Sequence, residues 1–170
     1  MIAFLALILI VYALCPAEIL TAMGVADCRL WACLTYPLAH TSWLHLAINA
    51  FALSMMYPPV RNLYCCRYNG SAGHFFGIVY LSAVLAGLMA ATTVPTLGAS
   101  GMVFALLGML LALNPTRRQV RNYLWVALAV GVQIYFGKSN VALHLVAFGL
   151  GAMVVVVRQA WEQLKIRDTE

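Results

Sequence analysis

The stretch Gly98-Ala99-Ser100-Gly101-Met102-Val103-Phe104-Ala105-Leu106-Leu107-Gly108-Met109-Leu110-Leu111-Ala112-Leu113 carries no charge and is followed by Asn114-Pro115. Proline cannot continue a helix without losing a hydrogen bond and crowding the turn before it. The run therefore reads as one helix that opens near Ser100 and stops at Leu113. From Leu113 back to Ser100 the rise is about 20 Å at 1.5 Å per residue, short of the roughly 30 Å of hydrocarbon in a bilayer. A membrane helix anchored at its Leu113 end would thus place Ser100 below the far surface, inside the membrane.

Composition supports a membrane setting. Of 170 residues, 64% are hydrophobic and 9% charged, whereas soluble domains carry about a quarter charged residues. Apolar blocks separated by short polar breaks predict six spans, near 1–14, 34–57, 75–91, 100–113, 123–136 and 141–157. The expected fold is an all-α, polytopic membrane bundle forming a single domain over 1–170. Met1 to Leu14 lacks a basic leader, and Cys15-Pro16-Ala17-Glu18 is a poor cleavage site, so this block reads as the first span. Pro58-Pro59 is expected to close the second span, and the basic tail from Arg158 to run along the membrane surface as an amphipathic extension.

Eight of the ten basic residues fall on one side of these spans: Arg61, Arg67, Arg117, Arg118, Arg121, Arg158, Lys165 and Arg167. Only Arg29 and Lys138 lie opposite, so the positive-inside rule puts both termini in the cytoplasm. The net charge of +5 then reports topology rather than an affinity for nucleic acid, for which there is no signature. Phosphate-loop and haem motifs are equally missing.

Polar side chains are expensive within a bilayer and each asks for a reason. His45, Asn49, Ser100 and His144 are such residues. The rise from Val157 back to His144 is about 20 Å and from Tyr57 back to His45 about 18 Å, so three helices deliver reactive groups to one depth. Asn49 follows His45 by four residues and shares its face. Residues 92–99 must descend to Ser100 as irregular backbone, which needs burial in protein or a water-filled cavity. Gly101, Ala105 and Gly108 form a small-residue stripe on the fourth span, as Ala147 and Gly151 do on the sixth. Such stripes let helices approach closely, bringing Ser100 within reach of His144.

The acids, Glu18, Asp27, Glu162, Asp168 and Glu170, all fall outside the helical interior. That removes a Ser-His-Asp triad and an aspartyl protease, and leaves a Ser-His dyad as the available chemistry. Other readings stand beside it. Serine is a good helix N-cap, and His45 and Asn49 could be interhelical hydrogen-bonding glue. His40, His45 and His144 could serve a metal or a transporter, but no carboxylate or nearby cysteine completes that shell. Cys28 and Cys33 share an outer segment and could pair, although buried apolar thiols are the favoured reading.

In His45-x-x-x-Asn49, Gly98-x-Ser100-Gly101 and His144 followed by small residues, in this order along nearly the whole chain, the sequence resembles the rhomboid family in its minimal six-helix bacterial form. The resemblance implies an intramembrane serine endopeptidase that cleaves transmembrane proteins. Ser100 would be the nucleophile and His144 the general base and acid, with the Ser100 amide, His45 and Asn49 stabilising the oxyanion. It implies no cofactor, metal or nucleic-acid partner, and a place in the bacterial inner membrane. His40 matches a further family histidine near the water-filled mouth of the site. Ala147 stands where the family usually has glycine, and Phe104 where many members carry tyrosine beneath the imidazole. A rhomboid-like protein that binds transmembrane segments without cutting them is the alternative.

Overall fold

The computed structural model describes residues 1–26, 29–90, 95–113 and 140–167. Their regular structure is helical apart from one isolated β-bridge, with short turns and coil between the helices. In chain order the helices are α1 (Ile2–Leu14), α2 (Ala17–Ala22), α3 (Leu30–Thr35), a 3-10 turn (Tyr36–Leu38), α4 (Trp43–Tyr68), α5 (Ala72–Met89), α6 (Ser100–Ala112) and α7 (Val141–Arg167). The expected fifth span, 123–136, lies outside the described residues.

Two of these helices, α5 and α7, are long and apolar enough to cross a membrane by themselves, while α1 and α6 are apolar but shorter. Large apolar side chains stay exposed around the bundle, among them Leu44, Phe51, Leu81, Leu145 and Val157. A soluble chain rarely leaves so much contiguous apolar surface uncovered. The core lies where α6 packs against α4, α5 and α7, with Leu53, Met56, Phe75, Met102, Leu106 and Leu143 fully buried. At the edge, Phe4 of α1 packs its ring 5.5 Å from Phe76 and 6.1 Å from Tyr80 of α5.

Three expected boundaries are corrected. The second span does not start at Leu34: residues 34–42 are the end of α3, the 3-10 turn and a coil. The long helix begins at Trp43, where Ser42 caps it by accepting from the His45 amide at 3.2 Å. Nor do Pro58 and Pro59 end it, since α4 runs on to Tyr68. Met56, Tyr57 and Val60 around the prolines are buried, and this packing outweighs the local loss of hydrogen bonds, as tertiary context often does. The helix stops instead at Asn69, whose φ of 51° is the left-handed conformation asparagine tolerates.

The third correction concerns the tail, which does not turn aside at Val157. Residues 158–167 continue α7 without a break, docked on α6 by Gln159, whose Nε2 donates to the Ala112 carbonyl at 3.2 Å; Arg158 and Glu162 pair at 3.0 Å along its exposed face. The remaining ends of α5 and α6 differ from expectation by no more than a turn.

Candidate active site

Backbone contacts fix the approach to α6. Val25 and Thr96 exchange two hydrogen bonds of 2.9 and 3.0 Å, and the Gly98 amide donates to the Tyr36 carbonyl at 2.9 Å. Gly98 has φ +110°, and a Cβ on it would meet His45 Nε2 at 2.6 Å. Only glycine takes this conformation without strain, and only glycine leaves the imidazole room. The segment 96–100 is buried except for a partly covered Leu97, as irregular backbone at membrane depth must be.

Ser100 is the first residue of α6. The cap position belongs to Ala99, which makes no side-chain cap bond, so the serine hydroxyl is not used as a cap. It lies 2.7 Å from His144 Nε2. On the other side of the ring, His144 Nδ1 lies 2.7 Å from the Asn140 carbonyl oxygen. A carbonyl only accepts, so Nδ1 carries the proton and Nε2 is left as the acceptor for the serine hydroxyl. The Phe104 ring packs 4.8 Å from the imidazole, centroid to centroid. Ser100 and His144 are 6% and 2% exposed, a contact sealed from bulk solvent.

The helix pair carrying these groups is tightly apposed. A Cβ on Gly108 would run into the Phe148 carbonyl, and one on Gly151 into the Ala105 carbonyl. Gly101 packs first against Tyr36, whose Oη a Cβ would meet at 2.5 Å, and then against Leu143 of α7 at 3.3 Å. Ala147, at the centre of the α7 stripe, is fully buried.

His45 and Asn49 flank Gly98. Asn49 Nδ2 donates to the His45 carbonyl at 2.9 Å, and a Cβ on Gly98 would lie 3.4 Å from that Nδ2. Asn49 Oδ1 is buried with no hydrogen-bond partner among the described residues. Thr41 Oγ1 lies 3.1 Å from His45 Nδ1. If the hydroxyl donates there, Nε2 keeps its hydrogen beside Gly98. These bonds stay within the helix or its lead-in and do not bridge helices. His40, expected at a water-filled mouth, is completely buried: its ring lies 5.1 Å from that of His45, and its Nε2 is 3.5 Å from the Ala99 amide. No group of three potential metal-ligating side chains occurs among the described residues. Cys33 is buried, and Cys28 lies outside the described residues.

Two contributors escaped sequence reasoning. Asn140 caps α7, its Oδ1 accepting from the Leu143 amide at 3.0 Å, while its Nδ2 donates to the Ala90 carbonyl at 2.6 Å. An asparagine directly before an apolar run is a cap signal that was open to reading. Tyr36 was hidden inside an expected span. It is fully buried, donates from Oη to the Ala83 carbonyl at 2.7 Å, and holds Gly98 through its own carbonyl.

With this fold and site in view, comparison with known families becomes informative. The chain matches the Rhomboid domain over residues 27–161 and belongs to the rhomboid family, whose members act as intramembrane proteases on transmembrane substrates. That membership and the apolar helices make it an integral membrane protein. Curated proteins give no match.

Proposed function

We propose that the chain is an intramembrane serine endopeptidase using Ser100 and His144 as a dyad. The observation that carries this reading is the relay from the Ser100 hydroxyl through His144 to the Asn140 carbonyl, with both contacts at 2.7 Å. In it, Ser100 Oγ attacks the substrate carbonyl carbon while His144 Nε2 takes the hydroxyl proton. Collapse of the tetrahedral intermediate breaks the peptide bond, and the imidazolium returns its proton to the leaving amine. Water then hydrolyses the acyl-enzyme by the same route in reverse.

The developing oxyanion would be met by the Ser100 amide, which as a first-turn donor has no acceptor within its helix. The His45 Nε2 hydrogen and the second Asn49 Nδ2 hydrogen join it. Preorganised donors of this kind are worth about 10²–10³ in rate each. The substrates are transmembrane proteins that reach the dyad within the lipid bilayer. The single domain 1–170 is a six-span bundle with both termini cytoplasmic in a bacterial inner membrane.

Purified protein in detergent or liposomes is tested on model transmembrane substrates beside Ser100→Ala and His144→Ala. Cleavage by the wild type that both substitutions abolish is the expected result. A wild type inactive on several helix-destabilised substrates, or cutting by Ser100→Ala, rejects the dyad and favours a non-catalytic binder of transmembrane segments.

A further inference from the structure

At the far end of α4 the bundle holds polar groups that the proposed chemistry leaves without a task. A cavity of about 280 Å³ there is lined by Tyr68, Asn69, Gly70, Ser71, His74 and Arg158. Beside it runs a groove of about 470 Å³, which shares Tyr64, His74 and Arg158 with it and continues along α7 past Met153, Val157 and Trp161. The groove is apolar and open, with Met153, Val157 and Trp161 each more than half exposed.

The cavity is rich in unused donors. Tyr68 is 8% exposed, yet among the described residues its buried hydroxyl has no hydrogen-bond partner, and neither has the Arg158 Nε. Buried donors left unpaired are rare, and each calls for an explanation. Arg158 and Arg67 both lie 5.9 Å from the Tyr68 ring centroid, adding positive charge. The other end of the Arg158 guanidinium pairs with Glu162 at 3.0 Å, but both side chains are about 40% exposed, where such pairs are weak. The N-terminus of α5 also opens here. Ser71 caps the His74 amide at 3.2 Å. The other first-turn amides have no acceptor within the helix, and the helix end carries a partial positive charge.

Donors, a guanidinium and a helix N-terminus converging on one cavity ask for an anion with several acceptor oxygens. Depth and the groove say what carries it. Arg67, next to Tyr68 on α4, donates from Nη1 to the Leu113 carbonyl at 3.4 Å, so Tyr68 lies level with the end of α6 farthest from Ser100, where the bundle meets the membrane surface. A cavity at that level, continuous with an open apolar groove along the bundle, fits a headgroup joined to a chain. We propose that this paired site binds an acidic phospholipid, with its phosphate in the cavity and an acyl chain along the groove beside Trp161. A soluble phosphate would satisfy the cavity and leave the groove unused.

Trp161 provides the probe. A variant with Trp31→Phe, Trp43→Phe and Trp125→Phe is placed in phosphatidylcholine bilayers containing brominated phosphatidylglycerol or brominated phosphatidylcholine, and quenching of the remaining tryptophan is followed. Half-maximal quenching is expected at about fivefold lower mole fraction for the acidic lipid, the value of one basic residue near an anionic surface. Tyr68→Phe, which removes one hydroxyl and keeps the ring, should reduce that preference, and Arg158→Gln should abolish it. Equal quenching by the two lipids overturns the proposal, as does a preference that survives both substitutions together. Loss of the preference in millimolar inorganic phosphate would mark a soluble-anion site and reject the lipid. Native mass spectrometry of the unsubstituted protein with equimolar lipids gives a second measurement. A retained phosphatidylglycerol that Tyr68→Phe weakens supports the site, and equal adducts overturn it.

Discussion

Gly151 of α7 rests directly on the backbone of Ala105 in α6: a methyl group added to Gly151 would lie 2.7 Å from the Ala105 carbonyl carbon and 2.9 Å from its Cα. Backbone cannot swing aside as a flexible side chain can, so Gly151→Ala must push the two helices apart. The expected loss is about 1–3 kcal/mol, as for other overpacked contacts. Cleavage should fall more steeply than stability, because Ser100 rides on α6 and His144 on α7. Gly149→Ala is the control, since a Cβ there meets nothing within 4 Å. Thermal unfolding in detergent and cleavage rates check both. Equal melting of the two variants would show that the interface gives way more easily than its geometry indicates.

Gly98→Ala should separate folding from catalysis. The substitution strains a φ of +110° and drives Cβ to 2.6 Å from His45 Nε2. Strain of this kind costs about 1–3 kcal/mol, which a helical bundle can survive. Displacing His45 from the oxyanion site should lower kcat about 10²–10³-fold. Circular dichroism with substantial helix retained, beside a collapse in kcat, is the expected pair of results. A kcat within a few-fold of wild type would remove His45 from the oxyanion site.

Asn140 acts through its cap. Asn140→Ala loses the bond to the Leu143 amide and leaves the Ala90 carbonyl without its donor, at about 1 kcal/mol for the cap alone. The carbonyl that holds His144 Nδ1 belongs to the backbone and persists, but the turn presenting it loosens. Asn140→Ser keeps a capping oxygen, so it should recover most of the stability and activity lost in the alanine variant. Identical melting temperatures and rates for the two would show that the cap contributes nothing.

The fold and site were legible to different degrees, for identifiable reasons. Depth could be counted from the ends of apolar runs, and the count brought Ser100 and His144 to one level; in the structure they lie 2.7 Å apart. The small-residue stripes likewise foretold the contact between α6 and α7. Hydropathy misplaced the second span because it cannot distinguish the apolar short helices and coil of residues 30–42 from a spanning helix. It also gave Pro58-Pro59 a decisive role that burial of their neighbours overrode. The burial of His40 could not be read, because burial depends on what packs over a residue, which its spacing from His45 does not encode. Tyr36 was invisible for the same reason: its partners, Ala83, Gly98 and Gly101, are all distant in sequence.

Tyr36 also offers a test of coupling. A Cβ on Gly101 would lie 2.5 Å from Tyr36 Oη, with Leu143 Cδ2 at 3.3 Å and Ala83 Cβ at 3.4 Å as the next neighbours. The severe clash is thus with one hydroxyl. Gly101→Ala alone should destabilise the protein and slow cleavage, because Gly101 adjoins Ser100. Tyr36→Phe alone loses the hydrogen bond to the Ala83 carbonyl, worth about 1 kcal/mol, and keeps the Tyr36 carbonyl that holds Gly98. In the double variant the methyl group occupies the space the hydroxyl vacated, so the two losses should fall short of additivity by about 0.5–3 kcal/mol. A double-mutant cycle on thermal stability, repeated on cleavage rate, measures the difference. Strict additivity would mean that the backbone of α6, rather than Tyr36, absorbs the added methyl group.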